Sequence, residues 1–167
     1  MTRTQTDSTI VRAYVKAAFD PDSKRHSAAG LVIVSDDPDF TIERNTEVLF
    51  CRSGVVAHYL AIRFALQTMA KSQYLGTVFS QAELAVDLIN DPKPVYDPAI
   101  RKIVSTIQYY LSGRSVKLAS PDDSEMREAS LMARDKMRAL TTRDFIPEVA
   151  DFLVNGESLL TTPNEKP

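Results

Sequence analysis

The sequence predicts a mixed α/β fold: a five-stranded mixed sheet with helices on both faces. Three observations carry that expectation. In the first fifty residues, apolar runs are joined by short Asp- and Pro-rich turns, as in an antiparallel meander. Beyond residue 53, apolar residues recur at steps of three and four, as on one face of a helix, and strand-like runs alternate with such segments. The chain has 167 residues, 44% hydrophobic and 25% charged, enough for one domain with its own core.

Residues 10–19, rich in Val, Ala, Tyr and Phe, read as the first strand and stop at the turn Asp20-Pro21-Asp22-Ser23. The apolar run 28–34 suits a central strand, Asp36-Asp37-Pro38-Asp39 breaks it, and 40–50 supply the third. Ser53 is the expected N-cap of a helix whose buried stripe is Val55, Tyr59, Ile62, Leu66 and Met69. Thr77-Val78-Phe79 reads as a short buried strand. Ser80-Gln81-Ala82-Glu83 has capping-box spacing, which starts a helix running to about Asn90. After Pro92 and Pro94, Asp97-Pro98 opens a further helix with a cap and a proline at its first position. Its stripe is Ile100, Ile103, Val104, Ile107 and Leu111, and Gly113 ends it. Residues 115–118 are the last strand. Ser124 is expected to cap a long helix with Met126, Ala129, Ala133, Met137 and Leu140 on one side, and residues 145–154 to add a short helix. The expected organisation is an N-terminal arm over 1–9, a single domain over 10–156 and a flexible tail over 157–167.

Several function classes are excluded at this level. A net charge of −2 argues against broad, nonspecific nucleic-acid binding, which a strongly basic domain would signal. The charge is uneven, however: residues 99–143 carry nine Lys and Arg against five acids, and the remainder eleven against seventeen. Such a split steers an anionic partner to one side, or simply reflects solvated helix faces. A lone Cys51 excludes an internal disulfide, and with two histidines it cannot by itself build a zinc site. No apolar run approaches the roughly 18–20 residues of a membrane span, and no apolar stretch follows residues 1–7 as in a secretory signal. The expectation is a cytoplasmic chain with no membrane partner.

Four short matches occur in order across residues 10–140: Ala29-Gly30-Leu31-Val32-Ile33, Ala57-His58-Tyr59, Ser80-Gln81-Ala82-Glu83-Leu84, and Val116-Lys117 leading to Ala129-Ser130-Leu131-Met132-Ala133. With the element order, they resemble the ribonuclease H-like superfamily, type 1 in particular. That family has Ala-Gly before its second strand, an Ala-Glu-Tyr helix, a Ser-Asp-Ser-Gln-Leu junction and a Val-Lys-Gly-His to Ala-Asp-x-Leu-Ala ending. The resemblance implies a ribonuclease H-like fold. In the family, carboxylates hold two Mg²⁺ ions that cleave RNA in RNA–DNA hybrids. Carried over, the first-strand acid falls near Ala17, the helix acid at His58, the junction acid at Gln81 and the final-helix acid at Ser130. No acid stands at any of these positions, and Gln, Ser and an imidazole make a poor site for hard Mg²⁺. The hybrid grip departs as well: residues 19–27 contain no glycine, and Arg52-Ser53-Gly54 replaces an Asn-rich lead into the catalytic helix.

The expected catalytic site is therefore degenerate, with no catalytic residue, metal or cofactor assigned. His58 is a possible base or ligand on one reading and a structural imidazole on the other, because no carboxylate pair accompanies it. Asp20 and Asp22 fit a turn, Glu83 a helix cap, and Cys51 a small buried residue. Of Tyr109 and Tyr110, one packs and the other covers surface. Arg127, Arg134, Lys136, Arg138 and Arg143 form the expected phosphate-binding set. The leading expectation is a noncatalytic ribonuclease H-like protein docking on structured RNA or a ribonucleoprotein. Its alternatives are a protein–protein adaptor and a divergent metal-dependent nuclease using the displaced acids Asp20, Asp22 and Glu83.

Overall fold

The computed structural model describes residues 8–20, 27–51 and 53–140. Within them run β1 (Ile10–Phe19), β2 (Ser27–Val34), β3 (Glu43–Leu49), α1 (Gly54–Lys71), β4 (Leu75–Ser80), α2 (Glu83–Asn90), α3 (Pro98–Tyr110), β5 (Arg114–Leu118) and α4 (Ser124–Ala139). The sheet order is β3-β2-β1-β4-β5. The first three strands pair antiparallel, while β4 runs parallel to both β1 and β5. The predicted mixed sheet and its element order are therefore present.

Alternation along the strands divides the core between two faces. Val11, Ala13, Val15 and Ala17 of β1 join Leu31 and Ile33 of β2 under α1 and α3. Tyr14, Val32 and Val34 pack on Met126 and Ala129 of α4 across the sheet. Every residue of β2 is buried. That explains its continuous apolar run, since a strand covered on both faces has no polar phase. Gly30 is where α4 sits down on the sheet. A Cβ there would lie 2.1 Å from the Ala129 carbonyl oxygen and 2.8 Å from the Ala133 amide nitrogen, so only glycine fits.

Several local expectations need correction. β3 begins at Glu43 rather than residue 40, because the Phe40 amide closes a turn onto the Asp37 carbonyl at 3.0 Å. On α1, Tyr59, Ile62, Leu66 and Met69 are buried, but Val55, in the first turn, is 58% exposed. The capping box at 80–83 does not form. Ser80 is still the last residue of β4; its hydroxyl accepts from the Ala82 amide at 3.1 Å, and Ala82 precedes α2 without a side-chain cap. Ser124 is the first helical residue of α4 rather than its cap. Asp123 holds the cap position, with its carboxylate turned back to accept from the Ser120 amide at 3.1 Å. Ser53 and Asp97 do cap α1 and α3 as expected, each accepting two backbone N–H groups. The expected helix over 145–154, together with Asp22 and Arg143, lies outside the described residues.

Candidate functional site

The carboxyl ends of the parallel strands β1 and β4 meet the first turns of α1. In β1 the odd positions face α1, so Arg12, Tyr14 and Lys16 take the opposite side. Tyr14 stacks on Phe79 of β4, with ring centroids 5.0 Å apart. Tyr14 is also paired with Phe79, the last pair of the β1–β4 ladder, which ends before Lys16 and Gln81. Lys16 is half-buried, and burial holds its pKa below that of an ordinary lysine. No described carboxylate forms an ion pair with it.

Lys16 acts on His58, in the second turn of α1. Burial first, then the nearby Lys16 charge, lowers the imidazole pKa below 6.5, so His58 is neutral at pH 7. The turn is fixed from below by Ser53, whose hydroxyl accepts from the Val55 amide at 3.1 Å and the Val56 amide at 3.4 Å. His58 and Glu83 line a pocket of about 230 Å³ with Val55, Tyr59 and Leu84. Its rim is apolar: Leu84 is 83% exposed beside the exposed Val55.

Of the four positions at which a catalytic acid was expected, His58 lines this pocket and Ala17 lies near the carboxyl end of β1. Gln81 is exposed beside the pocket residues Ala82 and Glu83, and Ser130 is half-buried on α4, which packs against β1. Ala17 turns its side chain into the core under α1, while its neighbour Lys16, on the other side of β1, is the residue whose charge is felt at His58. A slip of one residue exchanges the faces of a strand. Apolar residues at 11, 13, 15 and 17 were the signal that residue 16 faces the other way.

The other candidates disperse. Glu83 lines the pocket, and Asp20, the first residue past β1, has an interaction partner. Among the described residues, no group of three or more His, Cys, Asp or Glu is placed to hold a metal ion. Cys51 is partly buried, with its sulfur 3.6 Å from the Ser27 hydroxyl and 3.5 Å from the Ser53 carbonyl, a packing role. Tyr110 packs on the core, and Tyr109 is exposed at its edge. The basic set splits. Arg127, Arg134 and Arg138 recur at seven and four residues on the exposed face of α4. Arg127 donates to the Asp122 carbonyl at 3.2 Å, and Arg138 pairs with Asp135 at 3.7 Å. Lys136 sits on the far side of α4 and lines a groove at the edge of β3.

No protein-family model matches the sequence, and no curated protein matches it. Solved structures do match. RNase H1 of the halophilic archaeon Halobacterium salinarum superposes with a TM-score of 0.65 at 19% identity, over 77% of this chain and 98% of that one. The N-terminal RNase H domain of a Mycobacterium tuberculosis protein gives 0.68 at 16% identity, over 82% and 99%. An RNase H1 solved in complex with an RNA/DNA hybrid, from an enzyme isolated from compost, gives 0.65 at 15% identity, over 79% and 99%. The fold of this chain is ribonuclease H-like.

Proposed function

We propose that this ribonuclease H-like chain is a noncatalytic binding protein whose partner is structured RNA or a ribonucleoprotein. The observation that carries the first half is the pair Lys16 and His58 at the carboxyl end of β1. Two-metal cleavage needs several carboxylates to hold Mg²⁺ and spread its charge. On this reading Lys16, His58, Gln81 and Ser130 occupy the four acid positions, with Lys16 taking the place expected for Ala17. A half-buried ammonium there repels a divalent cation, and a neutral imidazole, an amide and a hydroxyl offer Mg²⁺ no anionic ligand.

The second half is supported by the solved relative bound to an RNA/DNA hybrid and by Arg127, Arg134 and Arg138 on one exposed face of α4. Phosphate contacts of that kind give salt-dependent affinity with little sequence preference. The test pairs two measurements. Hybrid cleavage with Mg²⁺ or Mn²⁺ is expected to be absent, and cleavage abolished by Glu83→Gln would instead establish the divergent nuclease. Binding of a hairpin RNA is expected to weaken with salt. Changing all three arginines to Glu should flatten the log–log salt slope by about 3. No RNA affinity, or affinity untouched by that triple change, overturns the RNA reading.

A protein–protein adaptor is the second reading, and the apolar rim of Val55 and Leu84 favours it. It predicts a partner retained after nuclease treatment and lost with Leu84→Asp.

A further inference from the structure

β3 ends the sheet order, so one edge of its backbone has no strand partner among the described residues. A cleft of about 600 Å³ lies along residues 46–50, lined by Leu60, Arg63 and Phe64 of α1 and by Lys136 of α4. It shares no lining residue with the His58 pocket. The strand register fixes which charges an added strand would meet, because paired residues of antiparallel strands point to the same face. Glu43, Asn45 and Glu47 pair with Ile33, Leu31 and Ala29, and so lie on the α1 side. Arg44 and Thr46 pair with Val32 and Gly30, and so lie on the α4 side. Arg44 is already taken up by Glu128 of α4. Glu47, Arg63 and Lys136 enter no ion pair among the described residues. Glu47 and Arg63 share the α1 side and offset each other, which leaves the Lys136 ammonium unbalanced on the α4 side.

These charges disfavour a second copy. A twofold axis joining two antiparallel edge strands passes through the sheet, so each face continues as the same face of the other copy. Glu43 and Glu47 of both copies would then share one face, and Lys136 of both the other, setting like charges together. A strand of the opposite phase fits instead. Its apolar residues would lie over Leu60 and Phe64, its acids would point to Lys136, and its backbone would continue the β3 ladder. We propose that the β3 edge docks an extended segment of a partner protein in which apolar residues alternate with Asp or Glu, added as a sixth strand. This surface goes beyond the RNA reading and stands whether or not RNA is bound.

The probe is a seven-residue peptide matching the length of β3, Val-Glu-Leu-Glu-Val-Glu-Val. It is set against the same peptide with Lys at every Glu, and against one with Pro at its centre, which cannot complete the ladder. Binding to the full chain is read from the anisotropy of a dye on the peptide and from amide exchange of residues 44–50. The acidic peptide is expected to slow that exchange at least about tenfold, and the other two to leave it unchanged. Lys136→Glu is expected to reverse the preference toward the Lys peptide, a result that misfolding cannot produce. Equal binding of the acidic and Lys peptides overturns the proposal, as does failure of the acidic peptide to bind. Slow exchange of residues 44–50 in the free chain, with the peptide excluded, overturns it as well, since the edge is then covered by the chain itself or by a second copy.

Discussion

At the scale of single residues, Lys16 and His58 define the site, and both are held toward their neutral forms by burial. The pH consequence follows from linkage. The folded pKa of His58 lies below 6.5, so the unfolded chain takes up a proton that the native chain resists as pH falls through that value. Stability should therefore decline from about pH 6.5 downward, and His58→Gln should remove part of that decline. Denaturant midpoints at neutral and mildly acid pH would show it; identical pH dependence in the variant would rule it out. Tyr74 gives the opposite signature at the alkaline end. Desolvation, then its hydrogen bond to Glu43, pushes its hydroxyl up to about 12. The native state should lose stability as pH rises from about 10, where unfolded tyrosines ionise, toward that value. Glu43→Gln should lower the Tyr74 midpoint in an ultraviolet titration. His58, Gln81 and Ser130 were singled out in the sequence because neighbouring residues fixed their register in the resemblance. Lys16 was missed because β1 is apolar on both sides of it, and only the alternation separates one face from the other.

At the scale of elements, capping divides what was legible from what was not. Ser53 and Asp97 precede helices with nothing else to bind, and their side chains turn inward to cap. Ser80 and Ser124 carry the same local pattern, but Ser80 completes β4 and Asp123 ties down its own loop. Tertiary position decided those cases, which spacing does not encode. Ser53→Ala should therefore cost about 1 kcal/mol in chemical denaturation. Ser124→Ala should stay within about 0.5 kcal/mol, and a cost equal to that of Ser53→Ala would restore Ser124 as the cap. Gly30 was read only as part of an Ala-Gly match; its physical reason is the α4 backbone above it. Gly30→Ala should lower stability by about 3 kcal/mol, because the added methyl meets helix backbone that cannot step aside.

At the scale of the whole molecule, the architecture was legible because hydrophobic period changes from two to three-and-four where strand gives way to helix. Burial on both sheet faces then marks β2 as an interior strand beside the central β1. Ile62 of α1, fully buried, joins that core, and Ile62→Ala should cost about 2–5 kcal/mol, read from the shift in denaturant midpoint. Function was less legible than fold, since the surface of a scaffold is free to change while its packing is not.

The seat of α4 on Gly30 has a consequence for recognition. The helix axis rests on backbone rather than on adjustable side chains, and its buried residues there, Ala129 and Ala133, have no rotamers to exchange. Arg127, Arg134 and Arg138 are thus mounted on a support that cannot roll or slide against the sheet. A partner meeting that face encounters an array whose backbone is already set, and only the arginine side chains lose freedom when it binds.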